Sequence, residues 1–193
     1  VKIFLVTDIF GDTNAVETLT ERLNTVCERV YILDPYDARQ MNFRNEEEAY
    51  ETFTQTCGLE NYAQMCLKAL EAFSNEEVVI IGFSMGASAL WKALAGRKDL
   101  KIKHFFGFYA SQIRHITELD VDVETTLLFP QSETHFDVDS LMQTLASKPH
   151  VTCVKTPYLH GFMNELSHHF NADGYTKYCQ WLKNEISELT PQE

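Results

Sequence analysis

Glu77-Val78-Val79-Ile80-Ile81-Gly82-Phe83-Ser84-Met85-Gly86-Ala87-Ser88-Ala89-Leu90 is the stretch that decides the fold. Its opening run is short, apolar and β-branched, the pattern of a strand buried on both faces of a parallel sheet. The chain then turns through Gly82-Phe83-Ser84-Met85-Gly86 and runs on into Ala87-Ser88-Ala89-Leu90-Trp91-Lys92-Ala93-Leu94-Ala95, small residues and good helix formers. A serine between a strand and a helix is the context in which G-x-S-x-G denotes a nucleophile elbow. So sharp a turn holds the serine in a strained backbone conformation, and side chains two residues to either side would collide, hence the glycines. The turn also aims the Met85 amide, at the start of a helix, toward an oxyanion on a substrate bonded to Ser84. The bland alternative is a flexible Gly/Ser loop matching by chance; the flanking strand and helix favour the elbow.

The rest of the composition narrows the class. A chain of 193 residues with 45% hydrophobic content is expected to form one domain, residues 1–193, with a sizeable core and no separate cap domain. Its net charge of −12 disfavours nucleic acid and anionic membrane surfaces as partners. No stretch approaches the apolar length of a membrane span, and no signal-peptide pattern opens the sequence. The five cysteines (Cys27, Cys57, Cys66, Cys153, Cys179) are odd in number and lack C-x-x-C spacing, so they read as reduced core thiols of a cytoplasmic protein. His168-His169 lacks any metal-ligand spacing, so no metal or other cofactor is expected. The oligomeric state is not legible.

Strands and helices alternate along the chain. Lys2 to Thr7 is a first strand, followed by a loop at Asp8-Ile9-Phe10-Gly11-Asp12 and a helix from Ala15 to about Cys27, with Thr13 or Asn14 as cap. Val30 to Leu33 is a second strand, stopped by Asp34-Pro35. The signal weakens from Asp37 to Thr56, where Glu46-Glu47-Glu48 reads as a solvated helix face. Glu60 to Phe73 is an amphipathic helix leading to the elbow. Ile102–Tyr109, Thr125–Phe129 and Val151–Val154 supply three further strands. A helix at Val138–Ala146 is capped by Asp137, the last helix spans Asp173 to about Leu189, and Thr190-Pro191-Gln192-Glu193 is expected to fray. The alternation points to a parallel, doubly wound sheet.

In such sheets the working groups sit in loops beyond the carboxyl ends of the strands. Three loops qualify: the one with Asp8-Ile9-Phe10-Gly11, the elbow, and Pro157-Tyr158-Leu159-His160-Gly161-Phe162 after the sixth strand. A hydrolase of this kind has its triad in the chain order Ser, acid, His. Ser84, a carboxylate near 133–139, and His160 are in that order, with six other histidines as competitors for the base.

At these residues the chain resembles the dienelactone hydrolase family of α/β-hydrolases over most of its length. Thr7-Asp8-Ile9-Phe10-Gly11 is similar to that family's Glu-Ile-Phe-Gly loop, and Asp34-Pro35-Tyr36-Asp37-Ala38-Arg39 to its Pro-Asp-Leu-Tyr-Ala-Arg segment. The elbow corresponds to its G-x-C-x-G, Phe106-Gly107-Phe108-Tyr109 resembles its Gly-Tyr-Tyr-Gly, and His160-Gly161-Phe162 its His-x-Phe. The resemblance implies an α/β-hydrolase fold with a reduced six-stranded parallel sheet in the order 2-1-3-4-5-6, flanked by helices. It also implies oxyanion donors at Ile9 and Met85, and substrate contacts from Asp8, Phe10, Arg39, Tyr109 and Phe162.

The departures from that pattern shape the functional expectation. Ser84 stands where founding members carry cysteine, pointing toward a small ester, lactone or thioester as substrate. Asp8 replaces a glutamate, and Asn164 stands where a second substrate-binding arginine would fall. The acid stays open. Counting from the strand end gives Glu133; counting back from His135-Phe136 gives Thr134, which cannot carry the charge; Asp137 has a sufficient explanation as a helix cap. Asp8 is open as well, between a turn-forming residue and a carboxylate beside Ser84 that needs a partner such as Arg39. The leading expectation is a serine hydrolase with Ser84, His160 and Glu133 in the chemistry. A silent ligand-binding relative and an acyltransferase or lyase on the same fold are the alternatives.

Overall fold

The computed structural model describes residues 1–190, so much of the expected fraying at Thr190–Glu193 lies outside the described residues. Six strands, β1 (Lys2–Val6), β2 (Arg29–Leu33), β3 (Val78–Phe83), β4 (Ile102–Phe108), β5 (Thr125–Phe129) and β6 (Val151–Lys155), form one sheet in the order β2-β1-β3-β4-β5-β6. Every neighbouring pair is parallel. This is the α/β-hydrolase arrangement expected from the sequence. The order reverses between β1 and β3, so the loops leaving those two strands lie side by side at the carboxyl edge, where such sheets bind ligands.

Alternate residues of each strand feed two apolar layers, because successive side chains point to opposite faces. Ile3, Leu5, Val79, Ile81, Phe106 and Leu128 pack beneath α1 (Asn14–Leu23) and α6 (Ala172–Leu189). Phe4, Val6, Ile80, Phe105 and Leu127 pack on the other face. There they meet α2 (Glu46–Thr56), α3 (Gly58–Glu71), α4 (Met85–Leu94) and α5 (Val138–Ala146). Two-sided burial explains why β3 is apolar throughout; all six of its residues are buried. The helix after it is nearly as deep. From Gly86 to Leu94 only Lys92 escapes burial, reaching outward to Glu60 on α3.

Local differences from expectation have local causes. The first helix stops at Leu23, where Asn24 closes the last turn by donating from its backbone amide to Thr20, and the chain turns back before Arg29. The charge run opens α2, whose cap is Asn45: its side chain accepts from the Glu48 amide, while Glu48 accepts from the Arg44 amide. A short 3-10 turn at Ser111–His115 follows β4. The five cysteines are unpaired thiols. Among the described residues no helix is long and apolar enough to cross a membrane.

Candidate active site

The elbow is enforced by backbone packing. Ser84 takes φ 50° and ψ −115°, a region that side chains other than glycine rarely enter. A Cβ on Gly86 would lie 2.3 Å from the carbonyl oxygen of Thr7, and one on Gly82 would lie 2.6 Å from Cα of Ala87. The end of β1, the end of β3 and the start of α4 therefore meet backbone to backbone, which only glycine permits. Ser84 is anchored by its amide, which donates to the Phe108 carbonyl at 2.9 Å, and by its own carbonyl, which accepts from the Ser88 amide at 3.0 Å.

His160 sits in the turn-rich segment between β6 and α6, 2.9 Å through Nε2 from Oγ of Ser84. Its Nδ1 is 2.6 Å from Oε1 of Glu133, in the loop after β5. A carboxylate accepts only, so it holds the imidazole proton on Nδ1 and leaves the Nε2 lone pair facing the serine hydroxyl. The two loops are tied by the Gln131 amide, which donates to the Tyr158 carbonyl at 2.7 Å. Of the residues left open for the acid, Glu133 is the one the structure brings to His160. Asp137 is exposed and caps α5, accepting from the Ser140 amide at 2.7 Å, and Thr134 faces solvent.

Two backbone amides lie at the cleft over the serine. Met85 opens α4, where the first-turn amides have no partner within the helix. The Asp8–Ile9 peptide is pinned at its carbonyl, which accepts from the Gly11 amide and the Thr7 hydroxyl, both at 3.2 Å. A planar trans peptide then sends the Ile9 N–H the opposite way. Neither amide has a partner among the described residues, and both residues line the cleft over Ser84. Phe10 lines the inner end of the same cleft.

Asp8 is buried, makes the turn-forming contact and takes a second partner that the sequence did not offer. Oδ1 accepts from the Phe10 amide at 2.9 Å, which is the turn-forming bond. Oδ2 accepts from Nδ2 of Asn164 at 2.7 Å. Burial pushes its carboxyl above the ordinary carboxylate range, and the bonds from Asn164 and Phe10 oppose that rise. Arg39, offered from the sequence as its partner and as a substrate contact, is elsewhere. It is exposed, donates through Nε to the Tyr36 carbonyl at 2.9 Å, and does not line the cleft.

The two aromatic residues of the expected contact set divide. Tyr109 lines the inner cleft, its ring centroid 4.9 Å from that of His160, with φ at 39°. Its hydroxyl is buried without a partner among the described residues. Phe162 instead packs in the core against Phe108, Tyr158 and Tyr178 and touches neither end of the cleft.

The outer cleft, about 410 Å³, has a wall that sequence reasoning missed: Glu46, Glu47 and Tyr50 of α2. Glu46 lies within 3.2 Å of Nδ1 of His168, and His169 and His135 complete the rim. Among the described residues no Lys or Arg lines this cleft. Asn45-Glu46-Glu47-Glu48 has the sequence form of a capping box, which would have placed the start of α2, although Glu48 accepts from the Arg44 amide rather than from that of Asn45. Nothing local announces that its first turn would face Ser84.

No family model matches the chain. An uncharacterized protein of Bacillus subtilis (strain 168), YczH, is 29% identical over 143 residues, covering 73% of this chain and 69% of that protein. Among solved structures, a dienelactone hydrolase-like promiscuous phosphotriesterase from metagenomic libraries superposes with a TM-score of 0.69 at 14% identity, over 97% of this chain and 86% of its own. A monoacylglycerol lipase of Paleococcus ferrophilus gives 0.67 at 11%, over 98% and 95%. A dienelactone hydrolase of Anabaena variabilis gives 0.64 at 13%, over 95% and 83%. Likeness at these identities establishes a shared fold.

Proposed function

We propose that the protein is a serine hydrolase of the dienelactone hydrolase-like kind, one α/β-hydrolase domain without a cap, that cleaves small esters, lactones or thioesters through an acyl-enzyme. The observation that carries this reading is the hydrogen-bonded line from Ser84 Oγ to His160 Nε2 at 2.9 Å and from His160 Nδ1 to Glu133 at 2.6 Å, set at a strained elbow between two unpaired amides. Ser84 Oγ attacks the substrate carbonyl as its proton passes to Nε2 of His160. Glu133 orients the ring and supports the imidazolium charge. The amides of Ile9 and Met85 hold the oxyanion. Collapse expels the alcohol or thiol, which takes the proton from His160. Water, deprotonated by the same nitrogen, then releases the acid and restores Ser84.

The wall of the cleft bears on the substrate. Glu46 and Glu47 line the cleft with Ser84, and no Lys or Arg among the described residues lines it to balance them, so an uncharged or cationic ester fits better than an anionic one. The volume of the cleft is at the small end of the usual range for ligand sites. Five unpaired thiols suit a reducing compartment, and a cytoplasmic location is part of the proposal.

The test is labelling with a serine-directed phosphonate, with the adduct located by peptide mass spectrometry, alongside turnover of a panel of small esters. An adduct on Ser84 and ester release are expected. A silent ligand-binding relative would bind such esters without an adduct or turnover, and product analysis separates hydrolysis from acyl transfer or lyase chemistry.

A further inference from the structure

Two loops from opposite ends of the sequence must align for the reaction proposed above. One carries Ile9 after β1, the other carries His160 after β6. A side-chain hydrogen bond joins them across 156 residues: Asn164 Nδ2 donates to Asp8 Oδ2 at 2.7 Å. Both side chains are buried, with Asp8 7% and Asn164 6% exposed.

Every polar group of Asn164 is engaged, and the direction of each bond is fixed. Its backbone amide donates to the Gly161 carbonyl at 3.0 Å, closing the turn that follows His160. Its Oδ1 accepts from the Leu166 amide at 2.9 Å. Since an N–H can only donate, the oxygen must face Leu166 and Nδ2 must face Asp8, which assigns the amide orientation from its partners. Asp8 in turn accepts from Phe10 on its other oxygen. The result is one directional chain, Leu166 to Asn164 to Asp8, with the Phe10 amide closing it from the far side. Ile9 lies inside that clamp, between an Asp8 carbonyl held by Gly11 and a Phe10 amide held by the Asp8 side chain, and its own carbonyl accepts from the Tyr36 hydroxyl at 2.5 Å.

We propose that Asn164 is a positioning residue for the oxyanion site: through Asp8 it fixes the Ile9 amide in register with the His160 loop, so that the oxyanion donor and the proton acceptor move as one unit. This rests on the serine-hydrolase reading, since it gives the Ile9 amide its task. The carboxylate serves as an acceptor in the bridge and needs no cation, because Asn164 and Phe10 supply the two donors that keep a buried carboxylate satisfied. A loosened bridge affects the transition state most, because the oxyanion exists only there. Ground-state binding is touched little.

The discriminating experiment exchanges the two side chains. Asp8→Asn alone sets two amides against each other. If Asn164 flips to accept, its Nδ2 is turned onto the Leu166 N–H. Asn164→Asp alone sets two carboxylates together. In the double variant Asp8→Asn/Asn164→Asp the amide and the carboxylate change places, and every bond is restored: position 8 still accepts from Phe10 and donates to position 164, which still accepts from Leu166. Each single variant is expected to lower kcat about tenfold with KM within about twofold, short of the ~10²–10³-fold lost with an oxyanion donor. The double variant should recover kcat to within about threefold of the parent. Phosphonate labelling of the parent is measured in the same series, with thermal melts of all four proteins. The bridge is overturned if the singles melt lower but keep the parent kcat, or if the double folds like the parent yet stays as slow as the singles. A parent that is neither labelled at Ser84 nor active removes the hydrolase reading and the bridge together, whereas a labelled, active parent with no recovery in the double removes the bridge alone.

Discussion

The Ser84 elbow and the loop carrying Glu133 face each other across His160 and are built in opposite ways. At the elbow, position is set by main chain against main chain: Gly86 lies where a Cβ would come within 2.3 Å of the Thr7 carbonyl. The Glu133 loop has no regular structure, and its carboxylate reaches its place through a side-chain hydrogen bond to a residue 27 positions away. Backbone contact of the first kind tolerates almost no choice of residue, so it writes itself into the sequence. A side-chain bond of the second kind is met by any carboxylate that can reach, and the residue type alone says little. The two regions should therefore fail differently when altered.

The largest effect is expected from Ser84→Ala. The elbow keeps its glycines and its backbone bonds, so the melting temperature should stay near that of the parent while ester turnover falls by about 10⁶-fold, as when a serine nucleophile is removed elsewhere. Steady-state rates with a thermal melt check this. An adduct that still forms in Ser84→Ala would end the assignment of the nucleophile.

Glu133→Gln comes next, with a loss of about 10⁴-fold in kcat. Glutamine keeps the size of the side chain but removes the charge that supports the imidazolium, and its amide allows His160 the wrong tautomer. Since Glu133 lies in an irregular, partly exposed loop, stability should change little. Near-parental rates in this variant would mean that the 2.6 Å contact to His160 plays no part in turnover.

The same contrast explains what could be read in advance. The six strands and the Ser84 elbow were legible because apolar runs and glycine spacing record packing constraints directly, whereas the strand order came from the family resemblance and His160 from the chain order of the triad. The wall formed by Glu46 and Tyr50 was not, since the charge run looks the same on a helix facing solvent as on one facing a cleft. Asn164 was visible only as a missing arginine. Its bond to Asp8 joins residues 156 apart, and no local pattern encodes such a pair. Arg39 shows the converse: a matching motif placed it in the site, but it is exposed and its guanidinium donates to the Tyr36 carbonyl three residues back.

Gly86→Ala should sharpen the difference from the elbow side. The added methyl meets carbonyl oxygens of Thr7 and Val6 rather than a side chain that can swing away, so β1 and α4 must separate. A destabilisation of about 1–3 kcal/mol, in the range of core overpacking, is expected from chemical denaturation. Turnover should fall as well, because the Ile9 loop leaves β1 at that point. An alanine variant with parental stability and rate would show that the close approach is not a constraint.

The smallest effect concerns Asp137, four residues beyond Glu133 in the same loop. Its carboxylate accepts from the Ser140 amide, and this bond holds the Asp137 carboxyl below the ordinary carboxylate range. Asp137→Ala should leave kcat within about twofold, because the side chain caps α5 and makes no contact with His160. It should lower the melting temperature by roughly 2–4 °C, the usual consequence of a lost cap in a chain of this length. The pH dependence follows in sign from the depressed value. A carboxyl whose folded pKa lies below its unfolded one stabilises the fold at pH above the unfolded value, and that contribution disappears as pH falls through the folded value. Parent and Asp137→Ala should therefore differ near neutrality and converge as the pH is taken below the ordinary aspartate range, about pH 3. Denaturation midpoints of both proteins across that interval decide it. A gap that persists in acid would mean that Asp137 contributes through packing rather than through its charge. A fall in kcat without a fall in midpoint would move the role of orienting His160 from Glu133 toward Asp137.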